Sequence, residues 1–255
     1  MKDDADDIRA LLYRAMMSQV ELGLGEVIVK PPPEPVQPLA DPFAPSPEQM
    51  RIVSPEDLFG STVMEEPTTS QYSSLEEHRE AIKDCSLCPL HATRTNFVYG
   101  VGNPNADLMI VGEAPGAEED RRGEPFVGRA GQLLDKILAA IQLSRQEVYI
   151  TNILKSRPPN NRDPLPEEMT ACMPYLYEQI SLIRPKLICA LGRISAQALL
   201  QTSTPLGKLR KRWHEFRGIP MLVTYHPAAL LRFPAYKRDT WEDMQMLKAR
   251  LDSLR

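Results

Sequence analysis

No apolar run in this chain is long enough to span a bilayer, and a mean hydropathy of -0.32 excludes a membrane-embedded protein. Cysteine is scarce, with four among 255 residues, and a chain of this length buries enough core to fold without disulfides. There is no internal repeat, which removes solenoids and propellers. Hydrophobic residues at 42% and charged residues at 25% leave neither a collagenous nor a coiled-coil composition. The first residues lack the basic start and apolar core of a secretory leader and are too acidic for a mitochondrial presequence. A cytoplasmic location is therefore expected.

The net charge of -4 taken alone argues against a nucleic-acid partner, but the charge is unevenly divided. Residues 1–80 hold 6 basic and 16 acidic side chains, a balance of -10, whereas residues 81–255 hold 24 and 18, a balance of +6. Proline marks the change, with eight between Pro31 and Pro47, a density that favours an extended solvated spacer. The acidic, Ser/Thr-bearing stretch beyond continues it. Ahead of the prolines, Ile8, Leu11, Leu12, Ala15, Met16 and Val20 recur at helical spacing behind an acidic opening. The expected organisation is an amphipathic helix within residues 1–30, an acidic Pro-rich linker over 31–79 and a folded domain over 80–255. The helix is a docking element for an unidentified protein partner or a weakly ordered end.

The body alternates strand and helix patterns. Asp107–Val111, Val148–Ile153, Leu187–Leu191 and Met221–Tyr225 are short apolar runs that suit buried parallel strands. Leu133, Leu134, Ile137, Leu138 and Ile141 make one helical stripe, and Pro166–Ile183, Arg193–Leu200 and Asp239–Leu254 supply three more helices. The pattern predicts a three-layer α/β/α sandwich around a mostly parallel four-stranded sheet.

The polar residues that structure does not demand fall at the carboxyl ends of these strands. The first strand runs into Gly112-Glu113-Ala114-Pro115-Gly116, the second into Thr151-Asn152 and the last into His226-Pro227-Ala228. Open parallel sheets bind ligands at that edge. Each loop alone has a plain reading as a turn, a cap or a surface histidine; three together favour a site.

The cysteines make a second group. Cys85 and Cys88 form a C-x-x-C ahead of the first strand, Cys172 lies in a predicted helix and Cys189 in a predicted strand. A redox pair would follow a strand, and structural disulfides are disfavoured in the cytoplasm. Zinc and an iron-sulfur cluster both stay open on spacing alone.

Taken in order, Cys85-x-x-Cys88, Gly112-Glu113-Ala114-Pro115-Gly116 with Glu118-Glu119-Asp120, Gly123-Glu124-Pro125-Phe126-Val127-Gly128, Thr151-Asn152, Cys172, Cys189 and His226-Pro227-Ala228 resemble the family 4 uracil-DNA glycosylases. The resemblance covers residues from about 80 to 255. It implies hydrolysis of the bond between uracil and deoxyribose in DNA, and a [4Fe-4S] cluster on Cys85, Cys88, Cys172 and Cys189, with zinc the less favoured metal. It implies that Phe126 stacks on a flipped uracil, that Asn152 reads its O4 and N3-H edge, and that Glu119 lies against C5. His226, with backbone N-H groups around Glu113 and Ala114, faces the charge developing on the base, and Gly112 belongs to the same pocket. An aspartate used elsewhere in the superfamily is replaced by Ala114; Glu113 is a candidate to orient the water, a role the family pattern leaves open. Lys155-Ser156-Arg157 runs to Pro166 without the histidine-bearing insertion of the covalently attaching X-type relatives, so turnover is expected.

Lys208, Arg210, Lys211 and Arg212 ahead of the last strand, and Arg232 after His226, are candidates for phosphate contact. Leu230 or Leu231 is an apolar wedge for the vacated stack or a core residue. The expected protein is a monomer acting on single- or double-stranded DNA at the nucleoid, without a membrane partner. The reading of another class is a non-catalytic DNA-binding module, with a four-cysteine metal site, in a polymerase or repair assembly.

Overall fold

The computed structural model describes residues 70–254; the expected N-terminal helix and most of the expected linker lie outside them. The strands are β1 (Val101–Gly102), β2 (Leu108–Gly112), β3 (Tyr149–Asn152), β4 (Leu187–Leu191), β5 (Trp213–Phe216) and β6 (Ile219–Thr224). The helices are α1 (Leu75–Ile82), α2 (Ala117–Arg122), α3 (Arg129–Ala140), α4 (Pro166–Ile183), α5 (Arg193–Leu200), α6 (Leu206–Leu209), α7 (Pro227–Arg232) and α8 (Tyr236–Asp252).

One sheet runs in the order β1-β3-β2-β4-β6-β5. Its four central strands are parallel and are the four read from the sequence. The sheet has six strands, not four, because β1 and β5 pair antiparallel at its edges. Both escape a pattern search for physical reasons: β1 is too short to show a period, and β5, an edge strand, exposes Trp213 and Glu215 instead of reading as an apolar run.

Strand alternation divides the core into two layers. Met109, Val111, Ile188, Ala190, Met221 and Val223 face α4 and α5, where they meet Met173, Leu176, Ile180 and Ala196. Leu108, Ile110, Ile150, Leu187, Leu191 and Leu222 face α3 and α8, meeting Leu134, Leu138, Met244 and Leu247. Each such fully buried apolar side chain contributes about 1.5–3 kcal/mol of transfer free energy. α4 opens at Pro166 with the Glu168 carboxylate accepting the Leu165 N-H at 2.8 Å.

The folded domain begins before residue 80. Ser74 caps α1 by accepting the Glu77 N-H, and His78 is buried with its Nδ1 2.8 Å from the Tyr99 hydroxyl. Residues 75–79 of the expected linker therefore belong to the domain. The chain passes from β2 to β3 on one side and places β4 on the other side of β2. That reversal opens a crevice at the carboxyl ends of the parallel strands.

Candidate active site

A cavity of about 410 Å³ occupies that crevice, lined by Glu113, Ala114, Glu119, Phe126, Asn152 and His226 among others. This volume lies in the range of small-molecule sites. The structure thus brings together the residues expected from the three strand-end loops. Of the expected pocket set only Gly112 is not on the wall: it is buried behind it, where a Cβ would collide with Asn152 Oδ1 and the Phe126 ring.

Phe126 adopts a left-handed backbone, with φ 54°, and its carbonyl lies so close to Gly131 that no side chain fits there. Glu119 Oε1 holds the turn by accepting the N-H groups of Val127 at 2.9 Å and Gly128 at 2.8 Å. Glu119 is therefore both cavity wall and clamp on the aromatic loop. The Phe126 ring stacks with that of His226, centroids 5.4 Å apart and planes 30° from parallel.

Asn152 ends β3 and is 2% exposed, yet its side-chain Oδ1 has no hydrogen-bond partner among the described residues. A buried unsatisfied acceptor costs about 1–3 kcal/mol, which suits a position waiting for a donor. Its main-chain oxygen accepts from Lys155 Nζ at 2.8 Å, and the same ammonium donates to Thr151 Oγ1 and Gln179 Oε1. Lys155 is fully buried; burial holds its pKa down at about 7.

His226 caps α7, its Nδ1 accepting the Ala228 N-H at 3.2 Å. The acceptor role at Nδ1 leaves the proton of a neutral ring on Nε2. Burial, and then the charge of Arg232, lower its pKa to about 4, so at neutral pH the ring is an uncharged donor. Glu113 is shifted the other way: burial and then Asp163 raise its pKa to about 7, against Arg193 and Arg232.

The sequence reading missed one wall. Pro158, Asn161, Arg162 and Asp163, on the loop between β3 and α4, also line the cavity. Arg162 is fixed by two bonds to Glu168, and Asp163 pairs with Arg193 at 2.6 Å. Proline and asparagine in that stretch signal a turn but carry no information about where it folds.

The expected DNA contacts divide. Lys208, Arg212 and Arg232 are exposed, and Arg232 reaches the cavity wall. Arg210 is not a surface residue: it is 6% exposed, bonded through Nε to Asp243 at 2.7 Å and stacked over Tyr225. Lys211 is exposed but paired with Glu242 and Asp239. Leu230 is 1% exposed and belongs to the core, while Leu231 at 40% and Phe233 at 55% are open to solvent. Of the two expected wedges only Leu231 is accessible.

The cysteines divide too. All four are free thiols. Cys88 and Cys172 lie in the layer between the sheet and α4, and Cys85 sits at its rim, accepting from the Tyr175 hydroxyl at 3.1 Å. Burial above all raises the thiol pKa of Cys88, and that of Cys172 to about 11, against the backbone hydrogen bonds from Leu90 and Lys155 respectively. Cys189 points to the opposite face, into the layer of Leu108, Ile110, Leu187 and Leu222. The expected fourth ligand is thus separated from the other three by the sheet itself, because one residue along a strand reverses the face. Three soft thiol donors fit a thiolate-bound cofactor; Cys189 does not.

The sequence profile of the uracil DNA glycosylase superfamily matches residues 99–245, which include the sheet and the strand-end loops around the cavity. The type-4 uracil-DNA glycosylase of Pyrobaculum aerophilum is 46% identical over 180 residues, 68% of this chain and 92% of that protein. Those of Archaeoglobus fulgidus and Sulfurisphaera tokodaii are each 44% identical, over 68% and 69% of this chain and 92% and 84% of theirs. The chain belongs to the uracil DNA glycosylase superfamily and, within it, to the type-4 family.

Proposed function

We propose that this protein excises uracil from DNA by hydrolysing the N-glycosidic bond, leaving an abasic site. The observation that carries the reading is the buried, unpartnered Asn152 Oδ1, set in one cavity with Phe126 and His226. Extruding a base from the stack costs a few kcal/mol, and stacking on Phe126 offsets part of it. Asn152 Oδ1 accepts N3-H of uracil while its amide nitrogen donates to O4. Cytosine, with an acceptor at N3 and an amino group at C4, leaves both interactions mismatched. Glu119 stands where a C5 methyl would have to go.

Bond cleavage puts negative charge on the departing base and positive character on the sugar. The neutral His226 donates Nε2-H to O2, stabilising that charge without transferring a proton. Glu113 orients the attacking water and stabilises the cationic sugar when ionised. Lys208, Arg212 and Arg232 hold phosphates, and Leu231 fills the vacated stack. This activity places the protein at the nucleoid; among the described residues no helix is long and apolar enough to cross a membrane.

An iron-sulfur cluster fits the donor set of Cys85, Cys88 and Cys172. Zinc, which also takes thiolate ligands, is the less favoured occupant of the same donors. Bound to these thiols, a cluster would join the Cys85–Cys88 segment after α1 to Cys172 on α4.

The deciding experiment is incubation of the holoprotein with a uracil-bearing oligonucleotide followed by alkali. Strand breakage at uracil is expected. An intact strand would favour the non-catalytic binding module instead.

A further inference from the structure

We infer that the cofactor site is built from three thiolates and one serine: Cys85, Cys88 and Cys172 with Ser156 Oγ as the fourth donor, Cys189 taking no part. The inference rests on the reading above that the chain carries an iron-sulfur cluster.

Cys189 is excluded by the sheet. Ile188 and Ala190, its neighbours in β4, face α4 together with Cys172, whereas Cys189 is fully buried among apolar residues of the other layer. β4 is paired on both sides, with β2 and β6, so the thiol has no path through.

Ser156 stands on the correct side. It is 3% exposed, and Arg94 Nη1 donates both to its Oγ at 3.3 Å and to the Cys85 carbonyl at 2.7 Å. One nitrogen thus ties Ser156 to the C-x-x-C loop. On its other side, the backbone N-H of the preceding Lys155 donates to the Cys172 thiol. Ser156 therefore lies between Cys172 and the C-x-x-C pair. Among the described residues its own hydroxyl proton has no acceptor, although the residue is almost fully buried.

Other oxygen and nitrogen donors nearby are either engaged or at the surface. The Tyr175 hydroxyl donates to Cys85 Sγ and the Glu168 carboxylate is held by Arg162 and the Leu165 N-H, while Asp84 and His91 are exposed and Ser156 is buried beside the thiols. On binding, the Ser156 hydroxyl releases its proton to solvent as the Oγ-Fe bond forms, and the Arg94 guanidinium stabilises the resulting alkoxide. Oxygen is a harder donor than sulfur, so the iron at this corner is held least tightly.

The test is anaerobic preparation of the full chain and of Cys189→Ala, Cys189→Val, Cys172→Ala, Ser156→Ala, Ser156→Cys and Tyr175→Phe, each followed by iron and sulfide assay, visible absorption and Mössbauer spectra. The wild type is expected to hold about four irons, one spectroscopically distinct. Both Cys189 variants keep them, and Cys172→Ala loses the cluster. Ser156→Ala loses about one iron in four on brief exposure to air. Ser156→Cys makes the four irons alike and slows bleaching several-fold. If both Cys189 variants lose iron, or Ser156→Ala matches the wild type in spectrum and air stability, or Tyr175→Phe abolishes the distinct iron, the assignment is overturned while the cluster stands. A wild type prepared without air that contains no iron overturns the cluster reading itself, and the assignment with it.

Discussion

Lys155 Nζ and Asn152 are joined by a 2.8 Å hydrogen bond from the buried amine to the main-chain oxygen, on the residue whose buried side-chain Oδ1 has no partner among the described residues. The residue that reads the base is thus fixed through its backbone, leaving its amide free for the ligand. Asn152→Ala is expected to reduce single-turnover excision by about 10²–10³-fold with little change in DNA affinity or melting temperature. Lys155→Met removes three hydrogen bonds and is expected to impair both excision and stability. Equal loss of DNA binding and excision in Asn152→Ala would remove Asn152 from the reading of the base.

The two titrating groups of the cavity act at different pH. His226, at about 4, stays neutral throughout the working range, so it sets no limb near the ordinary histidine value. Glu113, raised to about 7, is expected to set the acid limb: single-turnover rate falls as pH drops through about 7, and Glu113→Gln is slower but flat there.

Stability supplies an independent check on Glu113. A carboxyl whose folded pKa is raised contributes stability that is full below its unfolded value of 4.5 and is lost as pH rises through about 7. The penalty at high pH is on the order of 3 kcal/mol at most. Glu113→Gln is therefore expected to raise the melting temperature at pH 9 relative to wild type and not at pH 4. Equal effects at both values would contradict the raised pKa.

Adjacent basic residues are expected to behave differently. Arg210→Ala leaves Asp243 charged and buried without its ion-pair partner, costing about 3–5 kcal/mol of stability. Lys208→Ala and Arg212→Ala change stability little but weaken DNA binding, each lowering the salt slope by about 1. Equilibrium unfolding and binding at several salt concentrations separate the two behaviours. Normal stability in Arg210→Ala would refute the structural role.

Truncation tests where the domain begins. A chain starting at Ser70 is expected to excise uracil at the wild-type rate, whereas one starting at residue 80 loses His78 and its bond to Tyr99 and melts lower. Equal stability of the two would restore the boundary read from the sequence.

Much of this was legible in the sequence because it is written in local periodicity. The four parallel strands are short apolar runs between helical stripes, and Pro166–Ile183 and Leu187–Leu191 were bounded by proline and by the change of period. Glu113, Asn152 and His226 stood out because a polar residue ending a buried strand has no structural reason to be there. The edge strands, the wall from Pro158 to Asp163 and the burial of Arg210 left no such trace.

What the sequence determined by itself is the layered fold, its parallel centre and the edge at which the chemistry sits, since each follows from the spacing of side chains along a single segment. What only the tertiary structure decided is which segments meet. Cys189 is as soft a donor as Cys172, and Arg210 as basic as Lys208. The face of a strand and the depth of a loop separate them, and these depend on contacts between residues far apart in the chain.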